Sequence, residues 1–233
     1  MQASTIASWV ISLLRTLSSK LLEAIDAAKK SPSRNFVQSV ELIVNVKDVD
    51  LTKPENRFTE TIELPHGLGK KRRKICVIAS GDLALRAERL QLVDKVLGKE
   101  DLEALVGNKR MAKKLAGKYD YFIVDPSMMG MAAKALGAAL GARGKAPVPI
   151  PPGMELEKLV EKYSRSVTVR LRKGPMLGCI IGTEDMDSKA LAENAEAVIA
   201  RIVEKLEKRF RNVASIYVKK TMGEPVRVGI EEK

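Results

Sequence analysis

Arg34, Asn35 and Phe36 place a guanidinium, an amide and an aromatic ring on consecutive residues, a trio able to grip phosphate and stack on a base or sugar. Similar chemistry returns late in the chain. Arg170 and Arg172 project from an alternating segment with Lys173 behind them, and Lys219 and Lys220 end another that carries Ser215 and Tyr217. Together these predict a basic, hydroxyl-bearing sheet face. Thr221-Met222-Gly223-Glu224-Pro225 then reads as a short turn whose glycine permits unusual dihedrals or close approach to a ligand. Two denser cationic groups, Lys70-Lys71-Arg72-Arg73-Lys74 and Lys109, Arg110, Lys113, Lys114 with Lys118, are either phosphate contacts or solvated faces. Over 233 residues Lys and Arg total 41 against 29 Asp and Glu, a net charge of +12 that favours a polyanionic partner through counterion release.

Other chemistries fit poorly. The Gly-Lys pairs at 69–70, 98–99, 117–118 and 144–145 lack both the earlier glycine and the following Ser or Thr of a phosphate loop. Gly137, Gly141 and Gly144 close a helix rather than open one after a strand. His66, the single histidine, sits in a Pro-Gly turn with no partner arrangement for general base work. Met128, Met129 and Met131 read as core filler. Cys76 and Cys179 form no CxxC pair, so neither a disulfide framework nor a zinc site is expected, and a reducing, cytoplasmic setting fits. Asp82 and Asp125 follow apolar runs, where open α/β sheets bind ligands, which leaves a nucleotide-like small-molecule binder or enzyme as the alternative. No catalytic residue, metal or cofactor is assigned.

The elements that must hold these residues fall into two textures. Val40, Leu42, Val44 and Val46 alternate with Ser39, Glu41, Ile43 and Asn45, the pattern of a half-buried antiparallel strand. Residues 166–172, 213–219 and 226–230 continue it. Between them, 75–79 and 121–124 are unbroken apolar runs followed by helical periodicity, as buried parallel strands require. The expected fold is therefore mixed α/β (α+β): a discontinuous two-layer antiparallel-sheet domain from residues 1–66 and 153–233, interrupted by a Rossmann-like parallel α/β insert over 67–152. Pro and Gly in 64–69 and the Pro-rich stretch 147–153 suggest a hinge. Leu191, Ala195, Val198, Ile199, Ile202, Val203, Leu206 and Phe210 share one stripe and predict a helix over 188–210, capped by Asp187 or Ser188. Apolar steps from Ile6 to Ile25 predict an amphipathic helix that packs on the body, with a transit peptide or a membrane-surface helix as the alternatives, and no run approaches the 18 apolar residues of a membrane span.

Arg34-Asn35-Phe36 with Gln38-Ser39-Val40-Glu41, Lys53-Pro54-Glu55-Asn56-Arg57, Leu64-Pro65-His66-Gly67, Gly141-Ala142-Arg143-Gly144-Lys145 and residues 216–223 follow one another along the chain. Together, in this order, they resemble the archaeal form of the ribosomal protein L-one family. The resemblance covers nearly the whole chain. It implies a non-catalytic constituent of the large ribosomal subunit: its terminal-segment domain grips ribosomal RNA of the mobile stalk while the insert swings. It further implies help for deacylated tRNA leaving the exit site, repression of the protein's own mRNA, a cytoplasmic ribosomal location, no membrane, and a monomer off the ribosome. The RNA contacts it implies are Phe36, Ser39, Glu41, Ser215, Thr221, Met222 and Gly223. Lys173 and Lys219 join them from the basic sheet face. The loop usually written Gly-Pro-Arg-Gly has Ala142 here, and the first 15 residues extend beyond the usual start.

Overall fold

Leu17, Leu21, Ala24, Ile25 and Ala28 are buried at three- and four-residue steps, so residues 17–29 form a helix, α1, with one face against the core. The computed structural model describes residues 17–151, 153–172 and 174–229. The apolar steps from Ile6 to Leu14, together with Pro152, Lys173 and Ile230, lie outside the described residues. After α1 come strands β1 (Ser39–Val46) and β2 (Phe58–Glu63). A second compact unit follows, with β3 (Ile75–Ile78), α2 (Gly81–Arg89), β4 (Lys95–Leu97), α3 (Lys99–Leu105), α4 (Lys109–Lys118), β5 (Tyr121–Val124), α5 (Met129–Ala142), β6 (Pro147–Pro149) and α6 (Leu156–Ser164). The chain then returns to the first unit through β7 (Ser166–Leu171), β8 (Met176–Thr183), α7 (Ser188–Lys205), β9 (Val213–Lys220) and β10 (Val226–Val228).

In the first unit β1 lies between β9 and β8 in a four-stranded antiparallel sheet of order β10-β9-β1-β8, and β2 pairs with β7 in a separate ribbon. The alternation read from the sequence sets the faces. Val40, Leu42, Val44 and Val46, with Leu177, Ile181, Ile216 and Val218, turn inward onto α1 and the Leu191–Ile202 stripe of α7. A bulge between Val40 and Glu41 shifts the β1/β8 register at Gly182. A Cβ at Gly182 would lie 2.5 Å from Leu191 and 2.6 Å from Met186, so only glycine lets α7 sit this close.

The second unit is a parallel sheet of order β4-β3-β5-β6 with helices on both faces, which explains the unbroken apolar strands. Cys76, Ile78, Phe122 and Val124 face α3, α4 and α5. Ile75, Val77, Tyr121 and Ile123 face α2 and α6. Helix α5 ends as its glycines require: Gly144 takes φ 61°, its N–H donates to Gly141 O at 2.9 Å, and Lys145 N donates to Leu140 O at 3.0 Å. That pairing is a Schellman stop, with Ala142 as the last helical residue.

Four details differ from the sequence expectation. The Pro-rich stretch is not a linker: Pro147–Pro149 is the edge strand β6 beside β5, a place where proline's missing N–H is tolerated. The chain crosses between units after Lys71 and after Arg165, so 153–165 packs with the insert, because α6 buries Leu156, Leu159 and Val160 against its sheet. Helix α7 stops at Lys205 although the apolar stripe runs to Phe210. There Asn212, 1% exposed, accepts from Lys208 N at 2.7 Å and donates to Lys47 O at 2.8 Å, pulling the chain into β9. Asp187 stands at the α7 N-cap without a side-chain bond, while the Ser188 hydroxyl donates to Asp26 at 2.6 Å.

Asn194 of α7 has no exposure, and its amide satisfies three backbone groups: it donates to Gly67 O at 2.9 Å and Ile181 O at 2.8 Å, and accepts from His66 N at 3.0 Å. It fastens the 64–69 turn to the helix. Asn194→Ala strands those groups and is expected to lower the stability of the chain by about 2–4 kcal/mol in urea unfolding.

Candidate nucleic-acid interface

The open face of the four-stranded sheet is assembled by register. Glu41, Ile43 and Asn45 of β1 stand opposite Lys219, Tyr217 and Ser215 of β9 on one side and Ile180, Gly178 and Met176 of β8 on the other. Arg227 of β10 stands opposite Tyr217. None of these residues is buried. Glu41 and Lys219 form an oppositely charged cross-strand pair, and Asn45 Nδ2 donates to Ser215 Oγ at 2.9 Å, leaving that hydroxyl its own proton to give. A carboxylate among cations repels phosphate. Glu41 is therefore suited to accept from ribose hydroxyls or exocyclic amines, with Lys219 and Arg227 left to neutralise charge.

At the end of β9 the chain turns through Thr221, Met222 and Gly223 and is latched onto the start of β1. Thr221 N donates to Ser39 O at 3.0 Å, and Ser39 N returns a bond to Thr221 Oγ1 at 3.2 Å. Met222 N donates to Gln38 Oε1 at 3.1 Å. These bonds bring Phe36, two residues before Gln38, into the neighbourhood of the turn. Phe36 is 51% and Met222 60% exposed, unusual for large apolar side chains and fitting for groups that stack or wedge against a partner. Gly223 does not take positive φ. Its absent side chain serves proximity instead: a Cβ there would lie 3.0 Å from Ser31 Oγ.

Beneath the turn sits a buried cation. Lys220 is 2% exposed, and its ammonium donates to Ser31 O at 2.5 Å, Lys29 O at 3.3 Å and Glu184 Oε2 at 3.2 Å. It points away from Lys219 and offers nothing to a ligand. Glu184 also accepts from Gln38 N at 2.8 Å, and that backbone bond first, then Lys220, holds its carboxyl below the usual range. Glu184, Gln38 and Met222 are thus joined in one chain of bonds.

Other expected contacts are placed differently. Ser39 is 1% exposed, and its hydroxyl accepts from Lys71 Nζ at 2.5 Å, so it lies under Lys71. Arg170 belongs to the β2/β7 ribbon opposite Thr59, not to the sheet bearing Ser215 and Lys219, because β7 pairs with β2 and the four-stranded sheet ends at β8. Lys173 is outside the described residues. The run 70–74 is largely engaged: Lys70 pairs with Asp185 at 2.8 Å and Arg72 with Asp94 at 2.9 Å. Lys70 holds the Asp185 carboxyl down at about 2. The sequence offers Lys71 as a phosphate contact or part of a solvated face, whereas it holds Ser39, and the motif containing Gln38 gives no sign that this side chain latches the turn. Glu184 has no local signal in the sequence, whereas the inward turn of Lys220 follows from the alternation that places it on the face of Ile216 and Val218.

No group of His, Cys, Asp and Glu among the described residues is placed to hold a metal ion. The aspartates behind the alternative reading have local duties: Asp82 pairs with Arg86 at 2.9 Å, and Asp125 accepts from Ser127 N at 3.1 Å. His66 contacts the carboxylate of Glu193. Burial pushes the Cys76 thiol up to about 12, out of range for a nucleophile. No helix among the described residues is long and apolar enough to cross a membrane.

Residues 28–224 match the family described as ribosomal protein L1p/L10e. The chain belongs to this ribosomal protein L1 family. It is 49% identical over 211 residues to the large ribosomal subunit protein uL1 of Thermococcus kodakarensis, covering 90% of this chain and 96% of that one. The corresponding protein of Methanothermobacter thermautotrophicus is 45% identical over 210 residues, covering 90% and 98%, and that of Thermofilum pendens 46% over 213 residues, covering 91% and 93%. The family resemblance in the sequence and the mixed fold with one antiparallel and one parallel sheet agree with this membership.

Two outcomes test the support beneath the turn. Lys220→Met leaves two carbonyls and Glu184 without their cation, so stability is expected to drop by about 1–3 kcal/mol in urea unfolding and amide exchange at Met222 and Gly223 to quicken. The Asp185 carboxyl is depressed in the folded state, so its contribution is complete above its ordinary value near 3.8 and is lost as pH falls towards about 2. Asp185→Asn is expected to flatten the decline of Tm across that window and to lower Tm at pH 7 by the same small amount, since an exposed pair is worth little.

Proposed function

We propose that this chain is a structural constituent of the large ribosomal subunit, working in the cytoplasm and holding ribosomal RNA of the mobile stalk on the open sheet face and the Thr221–Gly223 turn. Family membership supports the ribosomal role, since the relatives are large-subunit proteins and ribosomal proteins of this kind are structural rather than enzymatic. The observation that carries the site is the latch itself: exposed Met222 and the segment after exposed Phe36 are tied by Gln38 and Ser39 into one fixed edge beside Glu41, Ser215 and Lys219. Phe36, Glu41, Ser215, Lys219, Thr221, Met222 and Gly223 would meet the RNA directly. Ser39 would act through Lys71 and the turn, and Lys173 completes the set by position in the chain.

Two finer roles go with this reading. A rigid surface shaped for one RNA fold accepts any message that repeats the fold, so the chain would repress translation of its own mRNA. Bound to the mobile stalk, it would help deacylated tRNA leave the exit site. Off the ribosome it would be a monomer.

Binding of stalk RNA to the full chain tests the site. Met222→Glu is expected to weaken binding at least 30-fold, the size of a hot-spot loss, with circular dichroism unchanged. With about five phosphates neutralised, log Kd should rise with log salt at a slope on the order of 4. An RNA copy of the protein's own leader should compete for the same site. Unaltered affinity in Met222→Glu would remove the turn from the interface.

A further inference from the structure

Helix α4 carries an electrostatic cost along its outer side that is offset only in part within its own unit, by the Asn108 cap and by Lys118 over the Tyr119 ring, 5.3 Å from its centroid. Its buried side is Ala112 and Ala116, and its outer side carries Lys109, Arg110, Lys113, Lys114 and Lys118, all exposed, with no acidic residue in its first turn. Lys109/Lys113, Arg110/Lys114 and Lys114/Lys118 are like-charge neighbours four residues apart, an arrangement that weakens a helix. Lys109 and Arg110 occupy its first two positions, where the backbone N–H groups already present positive charge. Among the described residues no carboxylate forms an ion pair with any of the five. A further guanidinium lies on this helix: Arg143 donates to Lys113 O at 3.2 Å and crosses α4 at Gly117, where a Cβ would stand 3.2 Å from it. Glycine disfavours a helix interior, and here it makes room for that guanidinium.

We propose that this face of α4 is a second docking surface for the phosphate backbone of an RNA duplex, separate from the open-sheet site and independent of sequence. Cations four residues apart repeat about every 6 Å along the axis, forming two short columns suited to a regularly repeating anion. The face lacks what other polyanionic partners need. A membrane surface calls for a broad apolar side inserted among lipids, and α4 buries only alanines and part of Leu115 on its apolar side. An acidic protein would be expected to find aromatic or aliphatic anchors, and the one exposed large apolar side chain here is Met111. Nor are there amides or hydroxyls on the outer side of α4 to read bases, which leaves contact with phosphates alone.

The test uses the full chain with Lys109, Arg110, Lys113 and Lys114 all changed to Gln, which keeps helix propensity. Binding to a plain RNA duplex without the stalk fold is followed against salt. The variant should lose about 3 units of log-log slope and bind the duplex more than tenfold more weakly at low salt. Its Tm should rise by a few degrees once the like charges are gone. An unchanged slope overturns the proposal, and so does a fall in Tm, which would assign the cations to the fold. Poly-glutamate or phosphatidylglycerol vesicles that bind wild type but not the variant, with duplex binding unaltered, would overturn it in favour of another partner. Stalk RNA, read in parallel with Met222→Glu, reports separately on the open-sheet site.

Discussion

A single buried ammonium joins the parts of the first unit that are farthest apart in sequence. Lys220 reaches the Lys29 carbonyl that α1 leaves open at its C-terminal end, the Ser31 carbonyl just beyond it and the carboxylate of Glu184 in the connection after β8. The Lys29 carbonyl is among the unsatisfied groups that every helix end presents, and a cation there also answers the helix dipole. With 2% exposure, desolvation of the amine is nearly complete, and only the combined oxygens offset it. Because Glu184 also binds Gln38, and Gln38 binds Met222, the order of the interface depends on a charge that no ligand would touch.

The chain's positive charge is thereby divided between two uses. Lys220, Lys71, Lys70 and Arg72 are committed to Ser31, Ser39, Asp185 and Asp94 and contribute to geometry. Lys219 and Arg227 on the open sheet, and the outer side of α4, remain available to solvent and ligand. Net charge predicted the class of partner, but residue-level pairing decides which cations can serve it.

Much of this was legible in sequence because the governing patterns are local. β1 begins and ends where alternation placed it, the unbroken apolar runs at 75–79 and 121–124 hold the parallel strands, and the Gly144 stop follows from its dihedral. The misses have tertiary causes. Nothing in the composition of Pro147–Pro149 separates a stiff linker from an edge strand, because what makes it a strand is the neighbouring β5. The stripe through Leu206 and Phe210 predicts more helix, but α7 stops at Lys205 because Asn212 bonds Lys47 and Asp48, more than 160 residues away. Lys219 and Lys220 looked equivalent as letters, and the strand's alternation sends one out and the other in. For the site, Phe36 beside Arg34 was readable as a stacking group and Met222 only through the family resemblance, and the bonds that fix the turn span some 180 residues.

Strand order has a temporal consequence. β1 is flanked in its sheet by β8 and β9, while residues 72–165 close on themselves through neighbours near in sequence. During synthesis the insert can therefore condense while β1 still waits, without partners along either edge, for about 130 further residues. The proposed grip of the open sheet is assembled only when β9 docks, so an abandoned, shortened product would carry a folded centre without it.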